Sequence, residues 1–171
     1  MCCRLLCGFF ALFASMSIGV AAEKIPRYVS VHQTSPDDRR AIETVLSTYT
    51  RSVSTGDESA FEALLLDKDI PFSSTDELLG PGGDPAHVDT RRYERFRKSV
   101  FASGTHYAQT FHNVRIEQDG PLAQVSLDFV TRIRGTRKGG YGFKTLHLVK
   151  THGQWKIASE FYTVHALRDP R

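Results

Sequence analysis

The sequence predicts an α+β domain, with helices in its first half and an antiparallel sheet in its second. Two observations carry this. Between Ser35 and Phe101 apolar residues recur at helical spacing behind capping residues. From His106 onward there are four runs of alternating side chains, each closed by a glycine-containing turn.

The helical half is read element by element. In "SPDD", Ser35 serves as N-cap and Pro36 suits the first helical position. Asp38 closes a capping box and complements the positive end of the helix. Ile42, Val45, Leu46, Tyr49 and Val53 then share one apolar face. Gly56 supplies a left-handed stop. Asp57 caps a second, shorter helix that carries Phe61, Leu64 and Leu65. A short strand is expected around Ile70 to Ser73, and Pro71 confines it to a sheet edge or a strand start. "GPGGDP", Gly80 to Pro85, reads as a loop. It lacks the lysine and hydroxyl of a P-loop and the strand–helix frame of a dinucleotide site, so it predicts no cofactor. Asp89 caps a third helix, with Tyr93, Phe96, Val100 and Phe101 turned inward.

The strands are expected over His106 to Glu117, Leu122 to Arg134, Tyr141 to Thr151 and Gln154 to Ala166, joined at Asp119-Gly120, Gly135 to Gly140 and His152-Gly153. Hairpin turns fix register, and register fixes faces. Pairing Gln118 near Pro121 sets His112 across from Leu127 and Val114 across from Val125. Pairing Thr151 with Gln154 sets Leu148 across from Ile157 and Leu146 across from Ser159. The wide hairpin sets Leu127 beside Leu148, Phe129 beside Leu146, and Asp128 opposite His147. The core face then collects Val114, Ile116, Val125, Leu127, Phe129, Ile133, Leu146, Leu148, Trp155, Ile157 and Phe161, with Thr110, His112, Ser159 and Thr163 as its polar members. The other face collects Tyr107, Gln109, Phe111, Asp128, Val130, Phe143, Thr145, His147, Val149, Glu160 and Tyr162. Its aromatic content suits a subunit contact, and an ordinary solvated sheet face with scattered aromatics is the alternative.

The amino-terminal segment reads differently. Met1 to Arg4 is short and basic, Leu5 to Val20 is apolar and uncharged, and Val20-Ala21-Ala22 offers small residues before Glu23-Lys24. That is the layout of a secretory signal peptide over 1–22, followed by a linker over 23–34, the domain over 35–166 and a tail over 167–171. An uncleaved membrane anchor is the alternative, though the run is short for a span of about 20 residues. An exported protein, periplasmic or secreted and off the membrane after cleavage, is expected. Cys2, Cys3 and Cys7 all fall in the leader, and Leu6 before Cys7 does not suit lipidation. A mature chain without cysteine has no disulfide and no thiolate metal site. The net charge of +3 falls to +2 without Arg4, too small an excess for nucleic-acid binding. The basic groups Arg91, Arg92, Arg95, Arg97, Lys98 and Arg132, Arg134, Arg137, Lys138 read as solvated faces.

"STGDESAFEALL" after an amphipathic helix, then a short strand, a further helix and a meander ending "GQWKIASEF", resembles the nuclear-transport-factor-2-like superfamily, and within it the SnoaL-like branch. The resemblance covers Ser35 to Ala166. It implies a cone-shaped fold, helices packed on a curved antiparallel sheet, a cavity at the open end, and homodimers joined through the outer sheet face. Ketosteroid isomerases share that fold. The resemblance places Tyr49 where their phenolic donor lies, but Ser73 where their carboxylate base lies and Leu146 near their second acidic donor. Isomerase activity is therefore not carried over.

Candidate chemistry is sparse. Tyr49 is either a core residue with a bonded hydroxyl or a donor facing a cavity. His112, amid an apolar face, is either a satisfied buried histidine or a general base. Asp128 and His147 suggest an outer-face pair, without a nucleophile. The seven histidines show no "HExxH" and no i, i+4 pair, so no metal site is expected. The expected ligand cavity is formed by Tyr49, Phe72, Phe96, Thr110, His112, Phe129 and Ser159, and the expected dimer contact by Tyr107, Phe111, Phe143, His147 and Tyr162. The reading is an exported domain that binds a small apolar molecule without catalysis. Two alternatives stand beside it. One is an isomerase, dehydratase or cyclase using His112 as base and Tyr49 as donor. The other is an envelope interaction module acting through its outer sheet face.

Overall fold

Helix α1 (Pro36–Thr55) forms as its sequence dictates. Ser35 Oγ accepts from the Asp38 amide at 3.1 Å, and Gly56 ends the helix at φ 73°, returning its N–H to Ser52 O. Ile42, Val45, Leu46, Tyr49 and Val53 are buried on one face. The short α2 (Glu58–Glu62) follows, with Asp57 accepting from the Ala60 amide at 3.0 Å. The structure is a computed structural model that describes residues 26, 29, 32–79 and 88–167. The leader, Gly80 to Pro85, most of the linker and most of the tail lie outside the described residues. The chain divides into two units, Met1–Val31 and His32–Arg171. Of the first, only a turn is described, in which the Val29 amide donates to Pro26 O at 3.0 Å.

In the second unit, strand β1 (Phe72–Ser74) leads into an unanticipated short helix α3 (Thr75–Leu79). Helix α4 (Tyr93–Val100) begins after Arg92 without a side-chain cap. Asp89 instead accepts from the Arg91 amide at 2.9 Å, forming a turn ahead of the helix. The meander comprises β2 (Tyr107–Asp119), β3 (Leu122–Ile133), β4 (Gly139–Thr151) and β5 (Gln154–Tyr162), and β6 (His165–Ala166) pairs with β4. The order is β1-β5-β4-β3-β2. All pairs are antiparallel except β1 with β5, which runs parallel and puts Phe72 beside Glu160. Among the described residues no helix is long and apolar enough to cross a membrane.

Register departs from expectation in a way that decides the site. At its turn the first hairpin pairs Asp119 with Leu122 and Ile116 with Val125, two residues from the expected register but with the same faces. Further along, β2 carries a bulge between His112 and Arg115, with Asn113 at φ 52°. The extra residue inverts the alternation, so Gln109 and Phe111 turn inward while Thr110, His112 and Val114 turn outward. The wide hairpin pairs Leu127 with Lys144 and Phe129 with Gly142, again keeping parity. In the last hairpin Leu148 meets Ile157 as expected. A second irregularity, at Ala158, then brings Ser159 opposite His147 and Glu160 opposite Leu146. Glu160 and Tyr162 therefore face inward, and Ser159 and Phe161 outward.

The core lies between α1 and the inner sheet face. Ile116, Val125, Leu127, Phe129, Leu146, Leu148, Trp155 and Ile157 pack there with the buried face of α1 and with Phe61 and Phe72. Val114, expected in this core, is 40 % exposed.

Candidate functional site

Three elements deliver one polar group each into this apolar interior. On β4 the inward positions are Gly142, Lys144, Leu146 and Leu148, so plain alternation carries a lysine into the core. On β5 the irregularity at Ala158 turns Glu160 inward opposite Leu146. On α1 the buried stripe brings Tyr49 over both. Lys144 is 2 % exposed, and Tyr49 and Glu160 not at all. Lys144 Nζ donates to Tyr49 Oη and to Glu160 Oε1, each at 2.5 Å, and Tyr49 Oη donates to the same carboxylate oxygen at 2.9 Å. Glu160 Oε2 is buried without a hydrogen-bond partner among the described residues.

Aromatic rings close around the ammonium. Nζ lies 4.3 Å from the Tyr49 ring centre, 5.1 Å from that of Tyr162, 5.3 Å from that of Phe129 and 5.6 Å from that of Phe111. Phe111 packs 5.2 Å from Tyr49, a contact that exists only because the β2 bulge turns Phe111 inward. Electrostatics follow from burial. Loss of water pushes the Lys144 amine below its ordinary range, with the Glu160 charge opposing. The same desolvation pushes the Glu160 carboxyl up, with Lys144 opposing. Burial, then the Glu160 charge, hold the Tyr49 phenol well above its ordinary value, so it remains a donor. The two groups are thus pushed toward each other, and a short hydrogen bond joins them.

A cavity of about 200 Å³ opens above this cluster, between α4 and the sheet. Val53, Phe96, Val100, Tyr107, Phe129 and Tyr162 form its apolar wall, the buried Lys144 also lines it, and Arg95 and Ser99 stand on its α4 side. Gln109 and Thr131 complete it. Gln109 Nε2 donates to Thr131 Oγ1 at 2.8 Å, while Gln109 Oε1 is buried without a hydrogen-bond partner among the described residues. A groove of about 430 Å³ lies on the opposite sheet face beside the bulge, lined by Asn113, Val114, Arg115, Ser126, Asp128 and Phe143. Among the described residues none that lines it carries a buried, unpartnered polar atom.

The expected cavity residues separate. Phe96 and Phe129 line the cavity, Tyr49 lies beneath it, and Phe72 is buried behind Phe96, 4.9 Å between ring centres. Thr110 and His112 are exposed on the other sheet face and bond each other at 3.0 Å, so Tyr49 and His112 do not share a cavity. Ser159 also lies outward, bonded to His147 Nδ1 at 2.7 Å. Of the expected dimer contact, Phe143 and His147 are exposed on the outer face, whereas Tyr107, Phe111 and Tyr162 face inward. Asp128 does not meet His147. It pairs with Phe143 across the ladder and accepts from Asn113 Nδ2 at 2.6 Å, while His147 pairs with Gln124. Ser73 is buried, its Oγ donating to Ser74 O at 3.2 Å. The described residues hold no cluster of three or more His, Cys, Asp or Glu side chains able to bind a metal.

These features define a small α+β domain built around a cavity with a buried acid–base cluster. Residues 34–159 match the SnoaL-like domain family, and the chain belongs to it. Solved structures share the nuclear-transport-factor-2-like fold. One is a nuclear-transport-factor-2-like protein of unknown function from Pseudomonas putida, at 12% identity and TM-score 0.60, covering 77% of this chain and 89% of that one. A second, from Novosphingobium aromaticivorans, is provisionally called an aromatic ring hydroxylase, at 23% identity and TM-score 0.56, covering 80% and 94%. A third, from the same organism, is provisionally called a scytalone dehydratase, at 18% identity and TM-score 0.56, covering 77% and 85%. At these identities the likeness concerns the fold. No curated protein matches the sequence.

Proposed function

We propose that this domain binds a small, largely apolar molecule in the cavity beneath α4 and does not turn it over. Gln109 carries the reading. A buried amide oxygen without a partner costs about 1–3 kcal/mol unless a donor reaches it, and this one belongs to a residue that lines the cavity. A ligand hydroxyl or N–H against Gln109, with a ring between Phe96, Phe129 and Tyr162, satisfies both needs. The volume suits about one substituted ring, below the usual drug-sized range. The acid–base pairing of Tyr49 with His112 is not carried forward, because those side chains lie on opposite faces of the sheet.

The test is mass spectrometry of small molecules retained by protein purified from its own cells. Recovery of one stoichiometric ligand, lost when Phe96→Trp fills the cavity, supports the reading. An empty protein whose thermal stability Phe96→Trp simply raises counts against it. Export after cleavage near Ala22 belongs to the same proposal, and amino-terminal sequencing of the mature protein tests it.

Pairing of two copies through the outer sheet face is also proposed. It is supported by Val114, Tyr141 and Phe143, which are 40 %, 46 % and 49 % exposed.

A further inference from the structure

We propose that the cavity captures aldehydes or ketones covalently, as an imine on Lys144 Nζ, an inference that rests on the binding reading above. The first support is position. Lys144 is the amine that lines the cavity, and its Nζ spends two hydrogen bonds, on Tyr49 and Glu160. No third hydrogen bond from it exists among the described residues, and the rings of Phe129 and Tyr162, which line the cavity, stand 5.3 and 5.1 Å away.

The second support is the company it keeps. An amine attacks a carbonyl only when neutral, and burial away from water favours that form, with the Glu160 charge opposing. Glu160 can hold the proton that Lys144 gives up. Its Oε1 accepts from Lys144 and Tyr49, while among the described residues Oε2 has no hydrogen bond that would help keep a buried carboxylate ionised. Tyr49 stays protonated and can donate to a developing oxyanion.

The step balances without an oxidant or reductant. The Nζ lone pair adds to the carbonyl carbon, and the C=O pair moves to oxygen, stabilised by the Tyr49 hydroxyl. That oxygen gains a proton through Glu160 as the nitrogen loses one. The hydroxyl then departs as water with the Glu160 proton, and the C=N bond forms. The product is an iminium cation against the Glu160 carboxylate, which replaces the original amine and carboxylic acid. Hydrolysis reverses each step, so the capture is reversible binding.

The probe is benzaldehyde with cyanoborohydride on the full chain, read by peptide mass mapping. Among the described residues Lys144 is the one lysine that lines the cavity, so the benzyl adduct is expected there at least about ten-fold above any exposed lysine. Benzyl alcohol, which fills the cavity but cannot form an imine, should suppress it. Glu160→Gln, which keeps the amine and removes the proton carrier, should slow trapping at Lys144 at least about ten-fold. An adduct spread evenly over the exposed lysines, or trapping undiminished in Glu160→Gln, overturns the proposal. Should benzyl alcohol raise the melting temperature while Lys144 stays unmodified, capture fails and the binding reading stands. Should neither compound act, both fail.

Discussion

Lys144 and Glu160 stabilise the fold only together. Each buried group hydrogen-bonds the other, and removing one partner strands the other in an apolar interior. Lys144→Met is therefore expected to cost about 3–5 kcal/mol in urea unfolding. The triple change Lys144→Met, Glu160→Leu, Tyr49→Phe should recover most of that loss, because no polar group is then stranded. Gln109→Leu should behave oppositely. It removes a buried amide that is only half satisfied, so stability should change by less than about 1 kcal/mol. Ligand retention should fall at least about ten-fold, the price of one lost hydrogen bond of about 1.4 kcal/mol.

Asp38 has a defined role away from the cavity. It accepts from Lys150 Nζ at 2.7 Å, Gln118 Nε2 at 2.9 Å and Trp155 Nε1 at 3.0 Å, tying the first turn of α1 to β2, β4 and β5. These bonds, Lys150 first, hold its carboxyl well below the ordinary 3.8. With the folded value depressed, its stabilisation is complete above the ordinary value and is lost as pH falls below it toward the depressed one. Asp38→Asn should flatten the acid limb of the stability profile, and fluorescence of the single tryptophan, Trp155, reports it.

At the scale of elements, the β2 bulge controls what the site contains. Asn113 sits at φ 52°, where a β-branched residue is strained by roughly 1–2 kcal/mol and glycine is not. Asn113→Val should therefore destabilise by about that much in urea unfolding, and Asn113→Gly much less. Deleting Asn113 should do more. A regular ladder would send Phe111 outward and His112 into the apolar interior, and dye binding to exposed apolar surface should rise. The same bulge marks the limit of what sequence alone reveals. Helix α1 was legible because caps, stop and buried stripe all agree over 36–55. Lys144 is absent from the core face expected from the sequence, although parity with Leu146 and Leu148 puts it there. Period-two reading puts Tyr107, Gln109, Phe111, Glu160 and Tyr162 on the outer face and Thr110, His112, Val114, Ser159 and Phe161 on the inner one, the reverse of the structure. Period-two alternation carries no mark of one inserted residue, and neither Asn113 nor Ala158 announces itself in composition. The parallel pairing of β1 was hidden for a different reason, being a long-range contact made by only three residues.

For the whole molecule, the two faces of the sheet divide the proposed labour, with the ligand on the inner face and a second copy on the outer. Phe143→Asp should shift a dimer to monomer in light scattering without changing ligand retention, since Phe143 does not line the inner cavity. The order β1-β5-β4-β3-β2 leaves β2 at the margin, 13 residues long. A margin of that length invites a foreign strand to add on. Part of it is occupied from within, as the Gln109 amide donates to Ser54 Oγ at 3.0 Å. Further along, the kink at Asn113, with Arg115 and Glu117 exposed beyond it, breaks up the straight template that such an addition requires. The irregularity that aims Phe111 at Tyr49 therefore also guards the chain against fibrous self-association, and a variant that straightened it would lose solubility along with its pocket.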